Sequence, residues 1–372
     1  MAAAERTCQI GMPLALLPIR GLTFLVNMFT NISYGAAELK APDRTVRLMK
    51  VCIPGGSGQV GTLLARSLHA GGDDVVVLSR RPALQPWHVV AWDGHNRGTW
   101  HREIDGADVV INLAGRSVNC RYTPANRAAI LESRVESTHA VGDAIAAAAR
   151  PPRVWLQAST ATIYAHRFDA ANDEWTGRLG GDEPDVPSTW HFSIEVARAW
   201  ENAFQECDTP RTRKVLLRSA MTLSPDAGGV FDTLAGLARR GLGGRAGDGR
   251  QYTSWIHEYD FVAAVRWLIA HDEVHGVMNV AAPSPVTNNE FMRVLREACG
   301  ARFGLPAARW MLEIGALFMR TETELILKSR RVVPGRLLDA GFEFKFPHWP
   351  DAARELCARS SALRSSRRAA ER

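Results

Sequence analysis

The sequence from residue 49 to residue 81, MKVCIPGGSGQVGTLLARSLHAGGDDVVVLSRR, decides the fold. It contains a short β-rich run, a glycine-rich turn, an amphipathic helix and a second β-rich run, in that order. Gly55, Gly58 and Gly61 have the GxxGxxG spacing, which gives a tight turn, a close approach of the backbone to a pyrophosphate, and close packing of the helix on the strand. In this context the turn predicts a dinucleotide site, whereas an isolated glycine turn would not.

The predicted cofactor contacts begin in this turn and at the start of the helix. The second β-rich run ends in Arg80, at about the distance where NAD enzymes place an Asp or Glu against the ribose 2′-hydroxyl. An arginine there can pair a 2′-phosphate, so NADP(H) is favoured over NAD. The alternative is an arginine that stacks on the adenine or faces solvent. We expect the turn and helix contacts to come from Gly55, Gly56, Ser57, Gly58, Gln59, Val60 and Gly61.

Beyond this segment, short β-rich runs alternate with longer helical runs, and from Thr287 onward only helical patterns appear. We therefore predict an α/β fold with a doubly wound parallel (Rossmann) sheet and a smaller, mostly helical C-terminal part. The two longest helices are predicted over Pro124 to Ala149 and His191 to Glu206. The predicted strands are Lys50 to Ile53, Asp74 to Leu78, His88 to Trp92, Asp108 to Leu113, Arg153 to Ala158, Lys214 to Arg218 and Val277 to Val280.

The chain is predicted to have four segments, and its net positive charge lies in the two terminal ones. We expect an irregular extension over residues 1–48, an NAD(P)-binding Rossmann domain over 49–282, a helical C-terminal domain over 283–358 and a basic disordered tail over 359–372. Of the formal net charge of +6, the tail holds four charges and the extension two, so the body between them is about neutral. A nucleic-acid binder would concentrate positive charge on its folded body, so no nucleic-acid partner is predicted.

Cysteines and apolar runs bear on the compartment. The six cysteines are scattered without a CxxC pair, which predicts reduced thiols and a cytoplasmic protein. The apolar run from Met12 to Phe29 is interrupted by two prolines and an arginine and follows no basic segment, so no membrane contact is predicted.

His271 and His275 have HxxxH spacing, which on a helix can hold a metal ion. No matched third ligand accompanies them, so no metal site is predicted.

Further motifs, taken together with the glycine turn, resemble the extended short-chain dehydrogenase/reductase family, and specifically its epimerase-like branch of NAD(P)-binding proteins with a helical C-terminal domain. The resemblance covers Met49 to Leu356. Members of this branch are usually labelled sugar-nucleotide epimerase-like. The matching segments are 55–61, Asn112-Leu113-Ala114-Gly115, Ser133-Arg134-Val135, Ser137-Thr138, Ser159-Thr160-Ala161-Thr162-Ile163-Tyr164, Gly243-Gly244-Arg245 with Gly247, Gly249 and Gln251, Ser254-Trp255-Ile256-His257, Pro334, and Ala340-Gly341-Phe342.

The resemblance implies further site residues. It adds cofactor contacts after the fourth strand, at Leu113, Ala114 and Gly115. It also places Thr160 where the family has a Ser or Thr that hydrogen-bonds the reacting oxygen. A hydroxyl at the carboxyl end of a parallel strand lies where open α/β sheets bind ligands, and it can polarise an oxygen there. The alternative is a threonine that bonds the backbone of its own turn.

The sequence departs from the family at the Tyr-x-x-x-Lys pair, in which the lysine lowers the tyrosine pKa for proton exchange. Ser193 and Ala197 occupy the two positions, so turnover is in doubt. The candidates for proton exchange are Tyr164, His191 and His257. His191 is the best placed, because it lies near the missing tyrosine and imidazole exchanges protons near neutrality. Tyr164 is alternatively a packing or hydrogen-bonding residue, and His257 alternatively leads into the next helix.

Arg245 and Arg250 lie in a glycine-rich loop, at the place where related enzymes close over a substrate. The two arginines could clamp an anion there; the alternative is a flexible hairpin with solvated arginines.

We predict an NADP(H)-binding, epimerase/reductase-like protein that acts on an unidentified small sugar-like or carbonyl substrate. A homodimer is left open. The alternative is a catalytically impaired nucleotide-binding sensor, or a partner-binding protein, that keeps the fold.

Overall fold

The computed structural model describes residues 48–183, 186–308, 310–312 and 323–370. The described chain forms the strands β1 (Lys50–Pro54), β2 (Asp74–Ser79), β3 (His88–Ala91), β4 (Val109–Asn112), β5 (Val154–Thr160), β6 (Arg213–Ser219), β7 (Met221–Leu223), β8 (Tyr252–Thr253), β9 (Trp255–His257), β10 (Gly276–Val280) and β11 (Val286–Thr287). Seven of them form one parallel sheet in the order β3, β2, β1, β4, β5, β6, β10. The predicted class, a doubly wound parallel sheet, is confirmed.

Helices lie on both faces of this sheet and form the C-terminal part. They are α1 (Gln59–Ala70), α2 (His101–Ile104), α3 (Pro124–Ala147), α4 (His191–Glu206), α5 (Val230–Arg239), α6 (Glu258–Ala270), α7 (Asn288–Ala298), α8 (Glu324–Leu327), α9 (Gly335–Asp339) and α10 (Trp349–Ala370). Side chains of α1 and α6 pack on one face, and those of α3 and α4 on the other. Because both faces are buried, the central strands are nearly continuous apolar runs, which is why the sequence predicted them within one or two residues.

The order of the strands indicates at which edge of the sheet a ligand would bind. β1 pairs with β2 on one side and with β4 on the other, so the chain reverses its winding direction between β1 and β4. Open α/β sheets bind ligands at this switch point, beyond the carboxyl ends of the strands. The glycine turn after β1, the segment after β4 and the end of β5 all meet at this edge.

A second hydrophobic cluster holds the C-terminal helices together. α5, α7 and α10 bury their apolar sides against each other, with the Phe291 and Trp349 rings stacked at 4.1 Å. α10 is also bound to the start of α6. His257 caps α6 by accepting the Tyr259 N–H at Nδ1, so its Nε2 carries the proton and donates it to Glu355 at 2.8 Å. His257 therefore leads into the next helix, as its alternative interpretation held.

The predicted disordered tail is wrong for residues 359–370, which continue α10. Arg359 pairs with Glu355 one turn earlier and also contacts Glu258 at the start of α6. Ser360 is buried against the arginines Arg239 and Arg364. These contacts extend the helix into a sequence whose composition alone suggests disorder. Residues 371 and 372, like the predicted extension apart from Leu48, lie outside the described residues.

Within the described ranges, no helix combines the length and the apolar character needed to cross a membrane.

Candidate functional site

The glycine turn after β1 is held against the segment that follows β4. Gly55 has a φ of +74°, and a Cβ atom there would lie 2.6 Å from the backbone of Ala114. The Leu113 N–H donates to the Pro54 carbonyl at 2.8 Å, which ties the two segments together. Only glycine combines this backbone conformation with this close approach. Gly55 therefore fixes the floor of the predicted cofactor cradle.

The start of α1 faces the open side of this cradle. A Cβ on Gly61 would lie 2.5 Å from Gly56, so the helix packs directly on the turn, whereas a Cβ on Gly58 would meet only the Gly55 carbonyl, at 3.8 Å. Gly58 is the N-cap and carries no side chain to bind the first N–H groups of α1, which Gln59, Val60 and Gly61 contribute. These free donors and the helix dipole suit a phosphate.

The end of β2 forms one flank of the cradle. Ser79 is buried, and its hydroxyl donates to the Ser57 hydroxyl at 2.9 Å and accepts the Arg81 N–H at 3.2 Å, which links the strand end to the glycine turn. The side chains of Arg80 and Arg81 are exposed. Among the described residues, the Arg80 guanidinium has no hydrogen-bond or ion-pair partner. The end of β2 therefore presents an unpaired cation to solvent at the position where NAD enzymes have an Asp or Glu.

The segment after β4 forms the opposite flank. Asn112 is buried; it donates to Gln157 at 3.0 Å and accepts the Ala114 N–H at 3.1 Å, which fixes the chain as it leaves the strand. Gly115 lies against Arg134, since a Cβ there would come within 3.3 Å of the arginine side chain. Burial lowers the pKa of Arg134 to about 10. The motif arginine, which is half-buried, thus supports the cradle wall.

Thr160 ends β5 at the same edge of the sheet and is half-buried. Its Oγ1 accepts the Thr162 N–H at 3.1 Å and so caps the 3₁₀ turn Ala161–Ile163. This is the local backbone bond that the alternative interpretation expected. The bond uses an acceptor lone pair, however, so the hydroxyl proton can still be donated to a ligand oxygen.

Tyr164 lies within a buried polar network. It is 2% exposed, and its hydroxyl donates to Asn279 at 2.9 Å and accepts from Arg218 at 3.1 Å. Arg218 in turn forms a two-pronged ion pair with Glu201 (2.9 and 2.7 Å), which also accepts the Ser159 hydroxyl at 2.6 Å. Burial raises the pKa of Tyr164. This placement favours the alternative of an internal hydrogen-bonding residue, and the proton-exchange role of Tyr164 stays a prediction.

A second buried charged cluster comes from the C-terminal part of the chain, and sequence reasoning missed it. Ser193, at the position of the family's tyrosine, donates to Glu324 at 2.6 Å. Lys328 lies one turn after Glu324, with its Nζ 3.8 Å from the carboxylate, and donates to the Thr162 carbonyl at 2.9 Å. Arg330 donates to the Thr162 hydroxyl at 3.2 Å. The C-terminal part therefore brings one carboxylate and two cations against the end of β5.

Lys328 gives a pH-dependent prediction. It is 3% exposed, and burial, opposed by Glu324, lowers its pKa from 10.5 to about 8. Between pH 8 and pH 10.5 the unfolded chain binds more protons than the folded one, so this lysine makes the free energy of unfolding rise with pH, by about 3 kcal/mol in all. We expect Lys328→Met to lose that rise. Urea unfolding of the wild type and of Lys328→Met at pH 7 and pH 10 measures this change. If the two proteins differ in their free energy of unfolding by the same amount at both pH values, the prediction is wrong.

His191 begins α4 and is half-buried. Its Nε2 is shielded from solvent and has no hydrogen-bond partner among the described residues. The structure thus places an unbonded imidazole nitrogen two residues before Ser193, while no described contact joins it to Thr160. Its predicted role in proton exchange stays a prediction.

The loop that carries Arg245 and Arg250 is attached to the C-terminal part. The Gly247 N–H donates to the Ala307 carbonyl at 2.8 Å, and Asn288 accepts the Ala246 N–H at 2.8 Å. Both arginine side chains are exposed, so the loop is fixed while its cations stay accessible. Arg250 lies over the ring of Phe168, which also lines a cavity of about 380 Å³ beyond β5. Other residues lining this cavity are Ala165, His166, Arg178, Leu179 and Glu183.

Comparison with known proteins agrees with this arrangement. The model of the NAD dependent epimerase/dehydratase family matches residues 51–281, and that of a domain of unknown function (DUF1731) matches residues 307–356. The human epimerase family protein SDR39U1 is 31% identical over 317 residues, which are 83% of this chain and 100% of that protein.

Solved structures show the same likeness. The crystal structure of human SDR39U1 (isoform 2) with NADPH has a TM-score of 0.73 and 30% identity, covering 83% of this chain and 99% of that one. A nucleoside-diphosphate sugar epimerase from Corynebacterium glutamicum has a TM-score of 0.65 and 28% identity, covering 84% of this chain and 59% of that one. With its parallel sheet, its glycine cradle and these matches, the chain belongs to the NAD dependent epimerase/dehydratase family.

Proposed function

We propose that this protein binds NADP(H) and is an epimerase/reductase-like enzyme for a small sugar-like or carbonyl compound. The observation that carries the proposal is the glycine cradle with the free guanidinium of Arg80 at its flank. The NADPH named with the human relative's structure supports the same cofactor here. A cytoplasmic location and a homodimeric assembly remain parts of the proposal.

The residues of the cradle fit a dinucleotide phosphate. The N–H groups at the start of α1 would bind the pyrophosphate, Gly58 would leave room for it, and Arg80 would pair the 2′-phosphate. Leu113, Ala114 and Gly115 line the opposite flank. The bound cofactor supplies or accepts a hydride. The protein's contribution would be to place that chemistry at the end of β5, beside the Thr160 hydroxyl.

The reacting oxygen is assigned to Thr160, whose hydroxyl keeps a proton to donate. Proton exchange is assigned to His191, because its Nε2 makes no bond within the described protein and imidazole exchanges protons near neutrality. Arg245 and Arg250 are assigned to an anionic group on the substrate, since both are accessible on a loop that the C-terminal part fixes in place.

The cofactor claim is tested by replacing Arg80. We expect Arg80→Ala to weaken NADPH binding about tenfold or more and to leave NADH binding nearly unchanged, because a charge-assisted pair with the 2′-phosphate is worth at least about 1.4 kcal/mol. Isothermal titration with both cofactors measures this. Arg81→Ala is the matched control, since it removes an equal charge one residue further on. If Arg81→Ala causes the loss and Arg80→Ala does not, the assignment to Arg80 is wrong.

The second candidate function is a nucleotide-binding sensor without turnover. The observation that favours it is Ser193 at the tyrosine position, with its hydroxyl engaged by Glu324. The two candidates separate in an assay of NADPH oxidation, followed by nicotinamide absorbance, against a panel of aldehydes, ketones and nucleotide sugars. Oxidation that depends on one compound and is lost in Thr160→Val but retained in Thr160→Ser supports the enzyme. Tight NADPH binding without oxidation by any compound supports the sensor.

A further inference from the structure

Two cysteines meet where three C-terminal helices join. Cys299 follows the last residue of α7, Cys357 lies in α10, and their Sγ atoms are 2.8 Å apart although the residues are 58 positions apart in sequence. Like the other described cysteines, Cys52, Cys120 and Cys207, both are free thiols. The Cys299–Cys357 pair thus sets two thiols within reach of a single reaction.

Two arginines surround this pair. Arg239, at the end of α5, and Arg364, in α10, both donate to the hydroxyl of Ser360, which lies one turn after Cys357. The hydrogen bond from the Cys357 thiol, together with these two cations, lowers the pKa of Cys299 to about 7, and the same bond raises the pKa of Cys357. By contrast, burial raises the pKa of Cys207 to about 11. Cys299 is therefore the thiol with the greater thiolate character.

Cys299 is also the more accessible of the two thiols. Cys299 is partly exposed, whereas Cys357 is 3% exposed and lies directly behind it. A reagent from solution therefore reaches Cys299 first, and Cys357 is positioned to attack whatever sulfur adduct forms there. This is the arrangement of a reactive thiol with a resolving thiol beside it.

We propose that Cys299 and Cys357 form a reversible disulfide when the protein meets a low-molecular-weight disulfide such as oxidised glutathione. The Cys299 thiolate attacks one sulfur of the reagent, forms a mixed disulfide and expels a first thiolate. Cys357 then loses its proton and attacks the Cys299 sulfur, which expels a second thiolate. The protein thiols lose two electrons, and one molecule of reagent is reduced to two thiols once those thiolates take up protons.

The bond would join α7 covalently to α10. The first residue of α7, Asn288, accepts the Ala246 N–H in the loop that carries Arg245 and Arg250, while Glu355 and Arg359 of α10 hold the start of α6. The closed loop would include Glu324 and Lys328. Oxidation would therefore cross-link the part of the chain that fixes the substrate loop and the charged cluster at β5.

The test is a titration of the full-length protein with oxidised glutathione. We expect the loss of two titratable thiols, a cross-linked peptide pair that contains Cys299 and Cys357 in a mass spectrum of the non-reduced digest, and a rise in Tm of about 5 °C. Dithiothreitol should reverse all three. Unchanged thiols, a stable glutathione adduct on Cys299, or a cross-link through Cys120 or Cys207 would each overturn the proposal.

Three variants sharpen the result. Cys357→Ser should stop the reaction at the glutathione adduct of Cys299. Cys299→Ser should abolish the first step, the attack of the Cys299 thiolate on oxidised glutathione. Cys120→Ser is the matched control, because Cys120 is partly exposed but has no cysteine beside it among the described residues; it should cross-link as the wild type does. Because the peptide map and the Tm shift are measured on the wild type, they decide the proposal even if a variant fails to fold.

Discussion

Replacing Glu201 with alanine is expected to lower the free energy of unfolding by about 3–5 kcal/mol. Glu201 and Arg218 are both about nine-tenths buried and form a two-pronged ion pair, with Ser159 donating to the same carboxylate. Removing the carboxylate leaves the guanidinium uncompensated in the interior, and it also disturbs the bond from Arg218 to Tyr164. Urea denaturation followed by circular dichroism measures the loss.

Two comparisons show whether the buried charge is the cause. Replacing both partners with methionine should recover much of the loss, because an apolar pair leaves no unpaired charge. Arg293→Ala, which breaks an exposed ion pair with Glu290, should cost less than about 1 kcal/mol. A Glu201→Ala loss as small as that of Arg293→Ala would contradict this account of the network.

Gly55→Ala is expected to weaken NADPH binding about 100-fold, which corresponds to about 3 kcal/mol. The new Cβ would lie 2.6 Å from the backbone of Ala114 at a φ of +74°, so the turn must move away from the segment after β4. The N–H groups of α1 then no longer point at one site. Titration calorimetry with NADPH measures the change, and a melting curve shows that the variant is folded.

Gly341→Ala is the matched control. Gly341 has a φ of +80°, but a Cβ there meets no atom within 4 Å. This variant should lose about 1 kcal/mol of stability through backbone strain alone and should bind NADPH as the wild type does. Equal binding losses in both variants would show that a general loss of stability, and not the cradle, is responsible.

The strands and the cradle could be predicted from the sequence because their causes are local. A strand buried on both faces must be apolar along its length, as in the run Val-Val-Val-Leu of β2, and a turn that packs against backbone must have glycine at fixed positions. Thr160 was placed at this edge by the family resemblance, since the strand predicted from the sequence ended two residues earlier, at Ala158. Its cap bond to Thr162 was one of the two interpretations that the sequence left open.

The charged clusters could not be predicted because their partners are far apart in sequence. Ser193 and Glu324 are 131 positions apart, and nothing in either segment indicates the other. Arg218 offered a weak signal, since an arginine ends the apolar run Val-Leu-Leu of β6 and a buried arginine requires a partner. The hydrogen bond from Arg218 to Tyr164 could not be predicted for the same reason.

The error at the tail has a different physical cause. Arginine and serine dominate residues 359–372, and composition of that kind predicts disorder when it is read alone. The periodicity held the contrary signal, because Ala352, Ala353, Leu356 and Ser360 recur at helical spacing and are all buried. Arg359 adds a pair with Glu355 four residues earlier.

Isothermal titration of the wild-type protein with NADPH and with NADH shows whether the cradle between β1, β2 and β4 selects NADP(H). We predict that NADPH binds at least about tenfold more tightly than NADH, since Arg80 supplies a free cation where an acid would favour NAD. Equal affinities for the two cofactors, or tighter binding of NADH, would contradict the account.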